Sequence, residues 1–135
     1  MPTRREVIAQ FIPASPLVGH LGIEVRTLEP DRAELLLPYR GELATMADIV
    51  HGGAIASLID TAGMAAAWAD DEVPEALAGA TVSLTVDYVA AARGQDLLAT
   101  ATVARRGRSL AFTDVRVTEP GGRLVAKGSL VYRFG

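Results

Sequence analysis

The stretch HGGAIASLIDTAGMAAAWA, residues 51–69, is the segment around which the fold of this chain is built. It is small or apolar almost throughout, contains no proline and is too long for a typical strand, so it predicts a helix over about 54–69. At 100° per residue, one stripe of this helix faces the core, formed by Ile55, Ile59, Ala62 and Ala66. A helix this apolar must be covered on most of its sides by other elements.

The segments on both sides of this helix have strand patterns. Segments 22–29 and 32–39 flank a Pro-Asp turn and predict a hairpin. After the helix, the period of two over 80–89 sets the alternate residues Val82, Leu84, Val86 and Tyr88 on one face and Thr81, Ser83, Thr85 and Asp87 on the other. Three more strands are predicted over 96–105, 109–118 and 123–134, and residues 1–14 predict a short amphipathic helix ending at Pro13. The order predicts one α+β domain over 1–135, with a curved antiparallel sheet wrapped around the long helix.

Composition excludes several function classes. The net charge of −3 argues against nucleic-acid binding, which needs clustered basic residues. The chain has no cysteine and only two histidines, His20 and His51, so neither a thiolate site nor the usual zinc site is available, and we expect no metal and no cofactor. No signal peptide is visible, which makes the cytoplasm the expected location. A membrane span over 49–69 would place a His and an Asp at bilayer depth, so we expect none.

Asp60 is the only charge in the middle of the apolar helix. It lies opposite the core stripe, on a face of mostly small residues comprising Gly53, Ala56, Ser57, Gly63, Met64 and Ala67. A solvated face normally carries several charges, whereas this one carries a single carboxylate. We therefore expect a second subunit, a ligand or both to approach this face. The alternative, an ordinary surface carboxylate, stays open.

The start of the helix is a second candidate feature. His51-Gly52-Gly53 stands where Ser, Thr, Asp or Asn usually caps a helix, so the first N–H groups are expected to be free for an anion or an oxyanion. A plain tight turn is the alternative. Together with Asp60 on the same helix, the glycine pair predicts an active site.

These residues resemble a known family. The segment VHGGAIASLID, with LGIEV near residue 22, VDYV and the closing GGRLVAKGSLVYRF, is similar to the hotdog-fold acyl-CoA thioesterases of the phenylacetate-pathway (PaaI-like) type, over about residues 15–134. The resemblance implies a long helix wrapped by a five- or six-stranded antiparallel sheet, and an acyl-CoA substrate. It also implies dimers formed by edge-to-edge sheets, commonly a homotetramer as a dimer of dimers, with active sites between subunits.

The resemblance also implies residue roles. Asp60 matches the family's helix carboxylate, a nucleophile or general base, and Gly52 matches the backbone donor to the thioester oxygen, with His51 beside it. Thr81 falls where some members hold a hydroxyl that positions water. We expect Gly53, Thr45 and Met64 to contact substrate. Many members have an asparagine before the HGG, but this chain has no Asn and places Thr45 near that position.

An arginine-rich turn is the candidate for the phosphates of CoA. In VARRGRSL, residues 103–110, guanidinium groups flank a glycine turn, and the expected contacts are Arg106, Gly107, Arg108 and Ser109, with Arg93 as a further candidate. Because 12 of the 13 basic residues are arginine, an ordinary solvated turn is the alternative.

Three functions remain: an acyl-CoA thioesterase, a hotdog hydratase of enoyl thioesters, and a non-catalytic acyl-CoA-binding module. A thiolate leaves readily because its conjugate acid has a pKa of about 8.5, so one carboxylate and an oxyanion site suffice for hydrolysis. A binding module has no need of a charge on the central helix. Asp60 therefore favours the thioesterase.

Overall fold

The computed structural model of the chain describes residues 1–135 and contains three helices and eight strands. The helices are α1 (Arg4–Ala14), α2 (Pro16–Leu21) and α3 (Gly52–Trp68). The strands are β1 (Glu24–Glu29), β2 (Arg32–Leu37), β3 (Ala44–Met46), β4 (Ile49–Val50), β5 (Gly79–Tyr88), β6 (Leu97–Arg106), β7 (Leu110–Thr118) and β8 (Leu124–Phe134).

Six strands form one antiparallel sheet in the order β1-β2-β6-β7-β8-β5. α3 contacts every one of these strands. At about 4.8 Å per strand, six strands span roughly 24 Å, about twice the diameter of a helix with its side chains. A flat sheet could not reach one helix with all its strands, so the sheet curves around α3. The predicted α+β architecture is confirmed.

α3 packs into the sheet through its small residues. All four residues of the predicted core stripe are buried, which confirms that part of the prediction. Gly63 was expected on the open face and is instead buried, as is Ala67. A Cβ at Gly63 would lie 2.9 Å from the Thr113 hydroxyl and 3.0 Å from a Leu130 methyl, so glycine lets the helix approach the sheet closely here.

The N-terminal region differs in detail from the prediction. α1 begins with a capping box between Thr3 and Glu6 and includes Pro13 in its last turn. α2 was not predicted. The segment Arg40 to Val50, which joins β2 to α3, contains a 3₁₀ turn at Gly41–Leu43 and the short strands β3 and β4. No helix of the chain is both long and apolar enough to cross a lipid bilayer.

β5 is an edge strand with apolar side chains in contact with solvent. It pairs with β8 along one side only, which leaves the backbone groups on its other side unpaired within the chain. Val82 is 47% exposed and Tyr88 is 54% exposed. A long apolar edge of this kind is a template for pairing with another strand.

Candidate active site

Asp60 lies on the open face of α3, partly buried, with one carboxylate oxygen occupied. Its Oδ1 accepts a hydrogen bond of 2.7 Å from the Thr81 hydroxyl at the start of β5. No cation pairs with this carboxylate, and no other side chain donates to it. The Oδ2 atom is therefore available to water or to a ligand.

A β-bulge explains how Thr81 reaches Asp60. In regular alternation Thr81 would point away from the apolar residues of β5, and the sequence predicts that orientation. In the structure Thr81 pairs with Tyr132 and Ser83 pairs with Val131, so β5 contains one extra residue, Val82, at this point. The extra residue shifts the alternation and turns the Thr81 hydroxyl toward α3.

An apolar cavity of about 500 Å³ opens beside Asp60. Nine of its 13 lining residues are hydrophobic, and its volume lies within the range of small-molecule sites. α3 contributes Asp60, Thr61, Met64 and Trp68, and α1 contributes Val7, Ile8 and Phe11. The segment 77–81 and Tyr132 complete the wall. Asp60 is the only charged residue of this lining, so the cavity suits an apolar group with a reactive or polar end.

The start of α3 differs from the prediction, because His51 caps the helix with its own side chain. The Gly53 N–H donates to His51 Nδ1 at 2.8 Å, and the N–H groups of Ala54 and Ile55 donate to the His51 carbonyl. Gly53 is therefore not a free donor. The Gly52 N–H has no acceptor within the chain, so it is the one glycine amide available to a ligand.

Tyr88, at the end of β5, holds the Gly52 residue in place. Its hydroxyl donates to the Gly52 carbonyl at 2.8 Å. A Cβ at Gly52 would lie 3.2 Å from the Tyr88 ring, so a glycine is what allows the ring to pack this closely. His51 and Tyr88 together set the orientation of the free amide.

Gly52 and Asp60 of one chain are too far apart to act on one carbonyl group. They are eight residues apart on α3, which is about 12 Å along the helix axis. A nucleophile must come within about 3.5 Å of the carbonyl carbon and an oxyanion donor within about 3.1 Å of its oxygen, so the pair can span only about 8 Å. The two features expected to form one site therefore lie apart within one chain.

The remaining expected contacts around this site lie in two places. Met64 lines the cavity beside Asp60. Thr45 is exposed, at the irregularity where Ala44 pairs with Val50 and Met46 pairs with Ile49, just before the start of α3. Thr45 is thus near the helix start, where the family's asparagine would be expected.

The guanidinium group of Arg106 already binds acceptors within the chain. Its guanidinium donates to the Ala67 carbonyl at the end of α3 at 2.8 Å, and pairs with Asp31 at 2.8 Å and Asp70 at 3.1 Å. A cation at a helix C-terminus interacts favourably with the helix dipole. The expectation that Arg106 contacts phosphate is corrected by this geometry, because its donors already have acceptors.

The other expected phosphate contacts lie at opposite ends of α3. Arg93 is 59% exposed, pairs with Asp48 at 3.4 Å, and its backbone bridges to Ile49 just before the helix start. Arg108 and Ser109 line a cleft near the N-terminus of α1, far along α3 from Gly52. Gly107 forms the turn itself, with its N–H donating to the Leu110 carbonyl.

The sequence did not predict that part of α1 and the aromatic residue Tyr132 line the cavity. The available signal in α1 was the i, i+4 apolar pair Val7 and Phe11. Tyr132 is buried, and a Cβ at Gly79 would collide with its hydroxyl. Burial raises the pKa of the Tyr132 hydroxyl, and the charge of Asp60 acts in the same direction. Tyr132 therefore stays neutral beside the carboxylate.

No group of three His, Cys, Asp or Glu side chains is arranged to hold a metal ion.

Comparison with known proteins gives a consistent result. A family model described as the thioesterase superfamily matches residues 47–126. Human acyl-coenzyme A thioesterase 13 is 30% identical over 135 residues, which cover 97% of this chain and 94% of that protein. A thioesterase family protein from Silicibacter pomeroyi superimposes with a TM-score of 0.88 and 25% identity, over 98% of this chain and 99% of the other. The PaaI protein of Escherichia coli, at 21% identity, shares the fold with a TM-score of 0.84, over 98% of this chain and 94% of the other.

A long helix wrapped by an antiparallel sheet, with a carboxylate beside an apolar cavity, defines a hotdog-fold enzyme. The chain belongs to the thioesterase superfamily, since the family model matches more than half of it and the human relative aligns along nearly its whole length. The resemblance drawn from the sequence is confirmed.

Proposed function

We propose that this enzyme hydrolyses the thioester of an acyl-CoA to the free acid and CoA. One observation carries the proposal: the Asp60 carboxylate, held by Thr81, stands at the edge of an apolar cavity large enough for an acyl group. The acyl part of such a substrate is apolar and its reacting carbonyl is polar, which matches the cavity and the carboxylate. The name of the human relative supports the same substrate class.

Asp60 acts on the thioester carbon through its free oxygen. Thr81 holds Oδ1, which leaves Oδ2 to face the substrate. Oδ2 either takes a proton from water as that water attacks the carbon, or attacks the carbon itself to form an anhydride that water then cleaves. In both routes the C–S bond breaks and a thiolate leaves, which needs no strong general acid.

The Gly52 N–H stabilises the oxyanion. It stands at the positive end of α3 and donates to nothing within the chain. Because about 12 Å separates it from Asp60 along the same helix, the donor that completes each site is Gly52 of the partner subunit. The enzyme is thus a homo-oligomer whose sites lie between subunits.

The free edge of β5 supplies the geometry of this dimer. Thr81 contacts Asp60 at the start of the strand, and Tyr88 contacts Gly52 at its end. When two β5 edges pair antiparallel about a two-fold axis at the strand centre, position 81 of each chain lies opposite position 88 of the other. Each Asp60 then faces Gly52 of the partner subunit. Further association into a dimer of dimers stays a prediction.

Arg93 is the strongest candidate for the phosphates of CoA. It is well exposed, its ion pair with Asp48 is long at 3.4 Å, and it lies next to the start of α3 that carries the oxyanion donor. Arg108 and Ser109 line a second, more distant cleft. We place the pyrophosphate at Arg93, where a guanidinium can bind it without first losing a strong partner.

The test is Asp60→Asn, assayed by thiol release from a panel of aryl and fatty acyl-CoAs. The substitution keeps the shape of the side chain, so we expect the fold to persist while kcat falls by about 10²- to 10⁴-fold. Asp114→Asn, an exposed carboxylate on the outer face of β7, is the matched control and should hydrolyse at the parental rate. Parental turnover by Asp60→Asn contradicts the mechanism. Binding of CoA esters without hydrolysis by any form supports the binding-module alternative.

A further inference from the structure

The cavity beside Asp60 is elongated along two helices. The α3 residues that line it, Asp60, Thr61, Met64 and Trp68, follow one another at helical spacing and so form one stripe. α1 forms the opposite wall and begins beside the end of α3, where the N–H groups of its first two residues donate to the carbonyls of residues 72 and 70. We call this space the α1–α3 groove.

The two ends of the groove differ in chemistry. One end carries the Asp60 carboxylate and the Thr81 hydroxyl. The other end is closed by the buried indole ring of Trp68, which meets the ring of Tyr132, the cross-strand partner of Thr81, edge to face with centroids 6.4 Å apart. Asp60 and Trp68 are eight residues apart on α3, so the groove runs about 12 Å from the carboxylate to the position of Trp68.

We infer that the α1–α3 groove binds an unbranched saturated acyl chain and selects a length of about eight to ten carbons. The inference rests on the proposed function, in which the thioester carbon lies at Asp60. A carbon chain advances about 1.3 Å per bond when extended, given a C–C bond of about 1.5 Å, so about nine carbons fill 12 Å. A longer chain meets Trp68.

The volume of the groove favours such a chain over a single aromatic ring. A cavity of about 150 Å³ is enough for benzene. The groove has about 500 Å³, so one ring would leave most of its apolar wall without contact. Along the groove Val7 and Phe11 face the ligand space from α1, and the Thr61 hydroxyl is already engaged with the Ser57 carbonyl. The long walls therefore offer mostly apolar contact.

The groove should discriminate chain length through burial alone. Each methylene group transferred from water to an apolar site increases the association constant about fourfold. We expect the affinity of the enzyme for S-alkyl-CoA thioethers, measured by calorimetry, to rise by about this factor per carbon up to roughly eight to ten carbons. Beyond that length the affinity should stop rising, because further carbons stay in water or press against Trp68.

Val7→Phe tests the groove directly. The larger ring fills the space one turn along α1, so the break in the affinity series should move to shorter chains. Val73→Phe makes the same change at a half-exposed position that does not line the groove, and should leave the series unchanged. Phe11→Ala is a second variant, at a half-exposed position of the groove where a smaller side chain does not disturb the core. This variant should weaken binding of the decyl thioether roughly tenfold more than binding of the methyl thioether.

The thioethers are not hydrolysed, which separates the two proposals. If the affinity for thioethers stops rising at the expected chain length but no acyl-CoA is hydrolysed, the result supports acyl-chain binding in the groove and contradicts the proposed function. Hydrolysis with an affinity independent of chain length defeats the groove alone, as does an S-benzyl thioether that binds more tightly than the octyl thioether. A break that Val7→Phe and Val73→Phe move equally also overturns the inference.

Discussion

Gly52→Pro removes the candidate oxyanion donor while keeping the helix that carries it. Proline has no N–H and is well suited to the first position of a helix, and Gly52 has no positive φ that proline would oppose. His51, the residue before it, has ψ of 134°, which is the conformation that a following proline favours. No hydrogen bond within the chain is lost, because the Gly52 N–H has no acceptor there.

The expected loss follows from the role of the amide. Removal of one oxyanion donor typically lowers kcat by about 10²- to 10³-fold, or about 2.7–4 kcal/mol of transition-state stabilisation. Proline also brings a Cβ to about 3.2 Å from the Tyr88 ring. Gly52→Ala brings the same Cβ but keeps the N–H, so it is the matched control and should lose far less activity. Thiol release from a saturating acyl-CoA measures both variants.

Mixing two inactive variants then shows whether the site is shared between chains. If Asp60 acts with Gly52 of the partner subunit, a heterodimer of Asp60→Asn and Gly52→Pro contains one site with both native groups. Random reassortment makes about half of the dimers mixed, so about a quarter of the native sites return in a symmetric dimer. We expect activity to recover to roughly that level after the two variants are mixed and exchanged.

A site contained within one chain gives a different result. Every chain in the mixture would lack one of its two groups, and activity would stay at the level of the separate variants. Such an outcome, with subunit exchange verified by mass spectrometry, would refute the shared-site mechanism. Native activity of Gly52→Pro alone would show that its amide is not the oxyanion donor.

Two further predictions concern stability. Gly63→Ala forces a Cβ against Thr113, and we expect this overpacking to outweigh the gain in helix propensity. The free energy of unfolding, measured in urea, should fall by about 1 kcal/mol. Gly19→Ala, in α2 with open space around it, should instead raise the free energy of unfolding by about 0.5–1 kcal/mol. The hydrogen bond from Arg123 lowers the pKa of Glu119 below its ordinary value of 4.5. The interaction therefore stabilises the fold fully at pH values above 4.5, and the stabilisation is lost as the pH falls through the lowered pKa. Glu119→Gln should therefore flatten the acid limb of the stability curve, and an unchanged limb would count against the pairing.

Local sequence patterns account for the main architecture and for the position of the candidate catalytic carboxylate. The helical period and small residues of segment 51–69 are local properties, and burial of so apolar a helix requires a surrounding sheet. The isolated charge of Asp60 on that helix is equally visible in the sequence. For this reason the α+β fold, the core stripe and the position of Asp60 on the open face of α3 follow from residues close together in the chain.

The groups that contact this carboxylate depend on tertiary packing. The extra residue at Val82 turns Thr81 toward Asp60, and a bulge depends on the register of β5 against β8, which alternation alone does not reveal. The sequence predicts Arg106 as a free cation next to a turn, but Asp31 and Asp70, which are distant in the chain, both pair with it. The groove needs α1 beside α3, a contact between segments about 50 residues apart. Such contacts depend on how separate elements pack, and no local pattern in the sequence encodes them.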